Sequence, residues 1–200
     1  MVAKTYSMLR LNKPMIDYAY EEAKKLPRYN YSHREFQANF VGCLGEISLA
    51  RFFQLKNVQF IDQRANTTHD FLMAGKLTLD VKTKERSVRP KSHYENSVPK
   101  YNHSHQRPDF FYFVSLLRNT KFAEEEKYRF THACIVGAIS LSDLESKGIE
   151  RKEGTEDPSN GTIFWTDCLN VTMEQISENR EMLRLFGGVN DDVSPIRSVA

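Results

Sequence analysis

Residues 77–84 read Leu-Thr-Leu-Asp-Val-Lys-Thr-Lys, so that Leu77, Leu79 and Val81 alternate with Thr78, Asp80, Lys82 and Lys84. A period of two is the mark of a half-buried strand, and it puts Asp80 and Lys82 on one face. Residues 69–73 carry a second short strand pattern, and Ala74-Gly75-Lys76 between the two is turn-like with glycine at its centre. A hairpin with a three-residue loop pairs Met73 with Leu77, Phe71 with Leu79 and Asp70 with Asp80. A two-residue loop would pair Asp70 with Leu79 instead. Because side chains alternate between faces, a slip of one residue moves the whole strand's pattern to the other face. The register of this hairpin is therefore the strongest constraint in the chain.

The register also carries chemistry. Residues directly opposite on an antiparallel pair have Cβ atoms about 4.5–5.5 Å apart, and same-face neighbours on one strand lie roughly 6.5–7 Å apart. Asp70, Asp80 and Lys82 can then reach one ligand. Two carboxylates so placed repel each other, and with Mg2+ between them they form the hard oxygen site that this ion prefers. The acid-x-lysine triplet alone is weak evidence. It occurs five times, beginning at Glu22, Asp80, Glu125, Glu145 and Glu150, in a chain with 27% charged residues. Only the triplet at Asp80 lies on a strand pattern.

A third acid comes from a helix pattern over about residues 32–55. Phe36, Phe40, Cys43, Leu44, Ile47 and Ala50 fall in one stripe, and Ala38, Gly42, Gly45, Leu49 and Phe53 form a second face whose small residues allow close approach to a sheet. Glu46 lies between these faces and is the only acid from Phe36 through Ile61. A carboxylate there is costly unless it is paired or bound to a metal.

The 200 residues, 40% of them hydrophobic, suit one domain over 1–186 with a full core, followed by a mobile tail over 187–200. Helices are expected at 13–26, 142–146 and 173–186. Strands are expected at 58–61, 69–73, 77–84, 110–117, 129–138 and 162–166, with an exposed loop at 147–161. These elements predict an α/β fold, a central mixed sheet flanked by helices. No apolar run approaches the length of a bilayer span and the first residues form no signal sequence, so a cytoplasmic protein without a membrane partner is expected.

The net charge of +2 says little about partners, but the stretch 76–107 holds eight basic residues against three acidic ones, a balance of +5 that leaves −3 for the remainder. It starts at the proposed site and continues through a loop with aromatics. A mobile basic loop of this kind can track a nucleic-acid backbone. Lys84, Arg86, Arg89, Lys91, Lys100, Tyr101, His103, His105 and Arg107 are the candidate contacts, with Tyr101, His103 and His105 read as phosphate contacts. Cys43, Cys134 and Cys168 lack ligand spacing and read as buried reduced thiols. Asp109 reads as a turn or capping residue more readily than as a ligand, and Trp165 as core packing more readily than as a base-stacking residue.

In order and spacing, Gly42-Cys43-Leu44-Gly45-Glu46-Ile47-Ser48-Leu49-Ala50, Asp70 and Asp80-Val81-Lys82 resemble the PD-(D/E)XK nucleases, the restriction-endonuclease-like superfamily. Arg107-Pro108-Asp109 with residues 110–117 resembles the family's central buried strand, and residues 131–140 its last core strand. The likeness covers roughly residues 33–145, with His69 where the family's name-giving proline would stand. It implies a restriction-endonuclease-like core and a Mg2+-dependent DNA nuclease, most plausibly an endonuclease, in which Mn2+ can replace Mg2+. Asp70, Asp80 and the backbone carbonyl of Val81 would hold the metal, and Glu46 would complete the shell or bind a second ion. Lys82 would orient the attacking water and stabilise charge on the phosphate. A homodimer is a further expectation, as is a stand-alone phage or mobile-element enzyme acting in the host cytoplasm. The alternative is a module of the same fold that binds DNA or protein without cleaving.

Overall fold

The computed structural model describes residues 5–27, 35–101, 105–119, 125–157, 161 and 163–187. In chain order the elements are β1 (Ser7–Arg10), α1 (Lys13–Lys25), α2 (Glu35–Leu55), β2 (Phe60–Asp62), β3 (Phe71–Met73), β4 (Thr78–Arg86), β5 (Glu95–Pro99), β6 (Phe110–Arg118), β7 (Phe130–Ser140), α3 (Leu141–Lys147), β8 (Ile149–Arg151), β9 (Cys168–Thr172) and α4 (Asn179–Leu185). The chain is α/β, with a mixed six-stranded sheet in the order β1-β7-β6-β4-β3-β2 and a second sheet in the order β5-β9-β8. All pairings are antiparallel except β4 with β6. Among the described residues no helix is long and apolar enough to cross a membrane.

Local signals account for much of this. Asn12 caps α1, its side chain accepting from Met15 N at 3.0 Å, and Pro14 sits in the first turn, where a missing N–H costs nothing. The β3–β4 loop has three residues, with Gly75 and Lys76 at φ of 77° and 68°. Phe71 pairs with Leu79, and Met73 N donates to Leu77 O at 2.8 Å, which is the register expected from the alternation. Gly45 lets α2 lie directly on β4: a Cβ there would overlap the Thr83 side chain. Leu79 and Val81 join α1, α2 and α4 in the larger core, together with Tyr112, Val114 and Leu116 of β6. Phe111 and Phe113 point the other way and pack with Val98, Val136, Val171 and Met173 beneath the second sheet. The central strands are thus covered on both faces, which is why β6 reads as an almost unbroken apolar run.

Several expectations need correction. The segment after Lys84 is not one long loop. β4 runs on to Arg86, and β5 adds a strand whose Glu95, Asn96 and Val98 are buried. Residues 147–161 are not wholly loop, because β8 begins at Ile149. The strand expected at 162–166 shrinks to an isolated bridge between Ile163 and Glu156, and the regular strand is β9, beginning at Cys168. The C-terminal helix starts later than expected, at Asn179, after a single 3-10 turn over Met173–Gln175. Residues 188–200, most of the expected tail, lie outside the described residues, as does His103.

Candidate metal and phosphate site

The site forms where β3 parts from β4. The backbone ladder between them ends with Asp70 N donating to Leu79 O at 2.9 Å. One step further, Asp70 supplies its side chain instead: Oδ2 accepts from Val81 N at 2.6 Å. In a strand the N–H and C=O of one residue point to the same side, so the Val81 carbonyl also faces this opening. Asp80, one residue past the last β4 residue paired with β3, is 2% exposed. Lys82 Nζ stands 2.7 Å from Asp80 Oδ2 in an ion pair, and among the described residues this buried oxygen has no aligned hydrogen-bond donor. The pair is a close electrostatic contact more than a directed bond. Asp80 Oδ1 is better served, accepting from Gln106 Nε2 at 2.9 Å while Lys82 Nζ donates to Gln106 Oε1 at 3.1 Å.

Glu46 arrives from α2, one residue after the glycine that brings the helix onto β4. Among the described residues nothing donates a hydrogen bond to its carboxylate. Burial pushes Glu46 up to about 7; Arg64 and Lys82 pull it down, and the charges of Asp80 and Asp62 push it further up. Asp70 is held well above the ordinary carboxylate range by burial, then by Glu46 and Asp80, against the Val81 N–H and Lys82. Asp80 is raised by burial, with Lys82 opposing. Asp70 therefore senses both other acids and Glu46 senses Asp80, in a setting that resists ionisation, the condition under which carboxylates recruit a cation or retain a proton.

Three residues around the site escaped the reading of the sequence. Gln106 bridges Asp80 and Lys82, and its only sequence cue is that it precedes β6, the parallel neighbour of β4. Arg64 fastens onto Asp62, with Nη2 to Oδ2 at 2.6 Å, and its charge reaches Glu46. His69 is held by Thr68 and Gln63, and its charge lowers Asp80. No local pattern marks Arg64 or His69.

The donor set of three carboxylates and the Val81 carbonyl suits a hard divalent cation, and the buried Oδ2 of Asp80 fits the same purpose. Among the described residues, however, no three acidic, histidine or cysteine side chains stand together as a ready-made ligand group. The contacts give a physical reason. Asp70 is drawn to the Val81 amide, Asp80 to Lys82 and Gln106, and mutual repulsion opposes closer approach.

The expected nucleic-acid contacts divide. Arg89, Lys91, His105 and Arg107 are exposed, and Arg107 pairs with Glu145 at 2.8 Å. Lys100 pairs with Glu150 at 2.6 Å. Lys84 and Arg86 sit half-buried on β4, so Arg86 corrects the loop expected there. Arg86 donates to Ser115 Oγ at 3.0 Å and to Glu95 O at 2.9 Å, and burial lowers both residues' pKa. Asp109 fastens strand starts, accepting from Thr78 N at 2.7 Å and from Thr78 Oγ1 at 2.8 Å. Cys43, Cys134 and Cys168 are buried free thiols. Neither a protein-family model nor a curated protein sequence matches this chain.

Proposed function

We propose that this chain is a divalent-metal-dependent DNA nuclease of the PD-(D/E)XK type, built on a restriction-endonuclease-like core. One observation carries the reading: Glu46, Asp70 and Asp80, from three separate segments, all lie within electrostatic reach of the Lys82 ammonium, and the charges of Glu46 and Asp80 raise the proton affinity of Asp70. Three acids from separate segments gather at the end of a short strand pair, where Lys82 and Arg64 offset their charge only in part. Asp70, Asp80 and the Val81 carbonyl would hold Mg2+ or Mn2+, with Glu46 beside them. Such an ion activates water and neutralises charge on a scissile phosphate.

The chain's own groups define the remaining roles. Lys82 supplies a positive charge over the site and positions a phosphate oxygen. Its contact with Asp80 Oδ2 and its cation–π position 5.8 Å from the Phe111 ring centroid hold the ammonium on that face. Gln106 orients Lys82 and Asp80 together. Glu46, half-protonated near neutrality, is suited to exchange a proton with water at the edge of the site.

The test is incubation of plasmid and single-stranded DNA with Mg2+, with Mn2+ and with chelator. Cleavage requiring the metal and lost in Asp80→Ala supports the proposal. Cleavage that survives chelator, or persists in that variant, refutes it. A second reading, a non-cleaving DNA-binding module, is favoured by the internal engagement of Asp70 with Val81 N and of Asp80 with Lys82 and Gln106. DNA binding without cleavage under either metal would select it.

A further inference from the structure

The second sheet presents an aromatic pair that no core explains. Tyr101, just past the end of β5, and Trp165, just before β9, have ring centroids 5.7 Å apart at an interplanar angle of 46°. Tyr101 is 60% exposed and Trp165 45%, so Trp165 is not the core residue its sequence surroundings suggest. The pair is held by anchored backbone. Phe164, buried, donates through N to Thr155 O at 2.9 Å and accepts at O from Gly154 N at 2.8 Å. Lys100 N, next to Tyr101, donates to Asp167 O at 2.8 Å. Alternation about Phe164 then turns both Ile163 and Trp165 outward. Rigid aromatic faces exposed to water are costly as decoration and effective as a binding platform.

The surroundings indicate the ligand. Tyr101 lies inside the basic stretch 76–107 and stands five positions before Gln106, which touches both Asp80 and Lys82. Five residues span at most about 18 Å, the length of a few nucleotides. The ion pairs Lys100–Glu150 and Lys152–Asp167 beside the pair are exposed, so their lysines can exchange partners with a phosphate at little cost. Aliphatic partners would be equally satisfied by leucines here, whereas two π-faces flanked by lysines match a base and its backbone.

We propose that Tyr101 and Trp165 form a stacking platform for an unpaired nucleobase of the strand entering the Asp70–Asp80 site. This rests on the nuclease reading for its substrate class and makes that substrate one with single-stranded character near the scissile bond.

Trp165 is the chain's single tryptophan, so its emission reports on the platform alone. The full chain, in chelator to prevent cleavage, is titrated with an oligothymidylate and with an abasic deoxyribose-phosphate oligomer of equal length. The expected result is saturable quenching by the first and not by the second. Tyr101→Ala weakens oligothymidylate binding by roughly tenfold or more, the usual effect of losing one base–aromatic stack. With a labelled oligomer followed by anisotropy, Trp165→Ala shows a similar loss and Trp165→Phe retains binding. Equal quenching by the abasic oligomer, or unchanged affinity in the alanine variants, overturns the proposal. So does quenching that grows with protein concentration alone, which would assign the pair to a second copy of the chain. Metal-dependent plasmid cleavage without quenching removes the platform and leaves the nuclease; quenching without cleavage under any divalent ion does the reverse.

Discussion

Two buried charged clusters share strand β4, a few residues apart, and they are built on opposite principles. Around Arg86 the charged groups have directed partners, although Asn170 Oδ1 has none among the described residues: Arg86 bonds to Ser115 and to the Glu95 carbonyl, while the Glu95 carboxylate is held by both Arg151 and Asn170. Around Asp80, the charges of Glu46 and Asp70 are opposed by Lys82 and Arg64, and among the described residues Asp80 Oδ2 has no aligned hydrogen-bond donor. The first arrangement is what a fold does when it must bury charge. The second resists its own ionisation, and the physical remedy is a cation or a proton. Charge burial by itself therefore does not mark a site; unbalanced charge burial does.

The largest test of that contrast is Asp80→Asn. It should lower metal-dependent cleavage by about 10²–10³-fold or more, the scale of losing a principal source of transition-state charge stabilisation. Single-turnover rates check this, and a residual rate within tenfold of the parent would erase the distinction between the clusters. Glu95→Ala should do the opposite. It strands Arg151 and Asn170 and destabilises the fold by about 3 kcal/mol, read from the denaturant midpoint. The cleavage rate per folded molecule should stay unchanged.

A third effect concerns pH. The folded-state pKa of Glu46, about 7, lies above its unfolded value, so the folded protein holds more protons between the two. In the absence of metal, stability must then fall as pH rises from about 5 through 7, by at most ~1.4 kcal/mol per pH unit for each such group. Asp70 and Asp80, also raised, act in the same direction. Glu46→Gln should flatten the slope and make the metal-free protein more stable at pH 8 by about 1–3 kcal/mol. Melting temperatures across pH, with and without Mg2+, measure it; a rising profile would show the acids to be well paired after all. The smallest effect is expected at Gln106, where Gln106→Ala removes the bridge to Asp80 and Lys82. Turnover should drop roughly tenfold with KM nearly unchanged, as for a lost charge-assisted hydrogen bond. A change in KM alone would make Gln106 a substrate contact and not a positioning residue.

Legibility followed the range of the interactions. The β3–β4 hairpin, α2 with its glycine face, the apolar β6 and the capped α1 were readable because each signal lies within a few residues. β1, with four residues, and β8, with three, are too short to show a period. β5 escaped for another reason: its Glu95 and Asn96 look like loop residues, and only Arg151 and the second sheet make their burial tolerable. Arg86 was misread in the same way, since a basic side chain in a polar stretch gives no hint that a second sheet will cover it. Trp165 failed in reverse: its apolar neighbours suggested a core, but the chain around Phe164 turns it outward.

Alternation and loop length alone determined that Phe71 pairs with Leu79, which brings Asp70 and Asp80 to the end of the paired stretch, and that Lys82 shares the face of Asp80. Those are consequences of the pleat and of a three-residue turn, and they need no distant partner. Which other groups surround these side chains was decided only by tertiary structure. Glu46 comes near because a glycine lets α2 settle on Thr83; Gln106 comes near because β6 runs parallel to β4; Arg64 comes near because it pairs with Asp62 beside Glu46. A parallel pair and a helix-on-sheet contact join residues distant along the chain, so their geometry resides in the packed core and in no local pattern of the sequence.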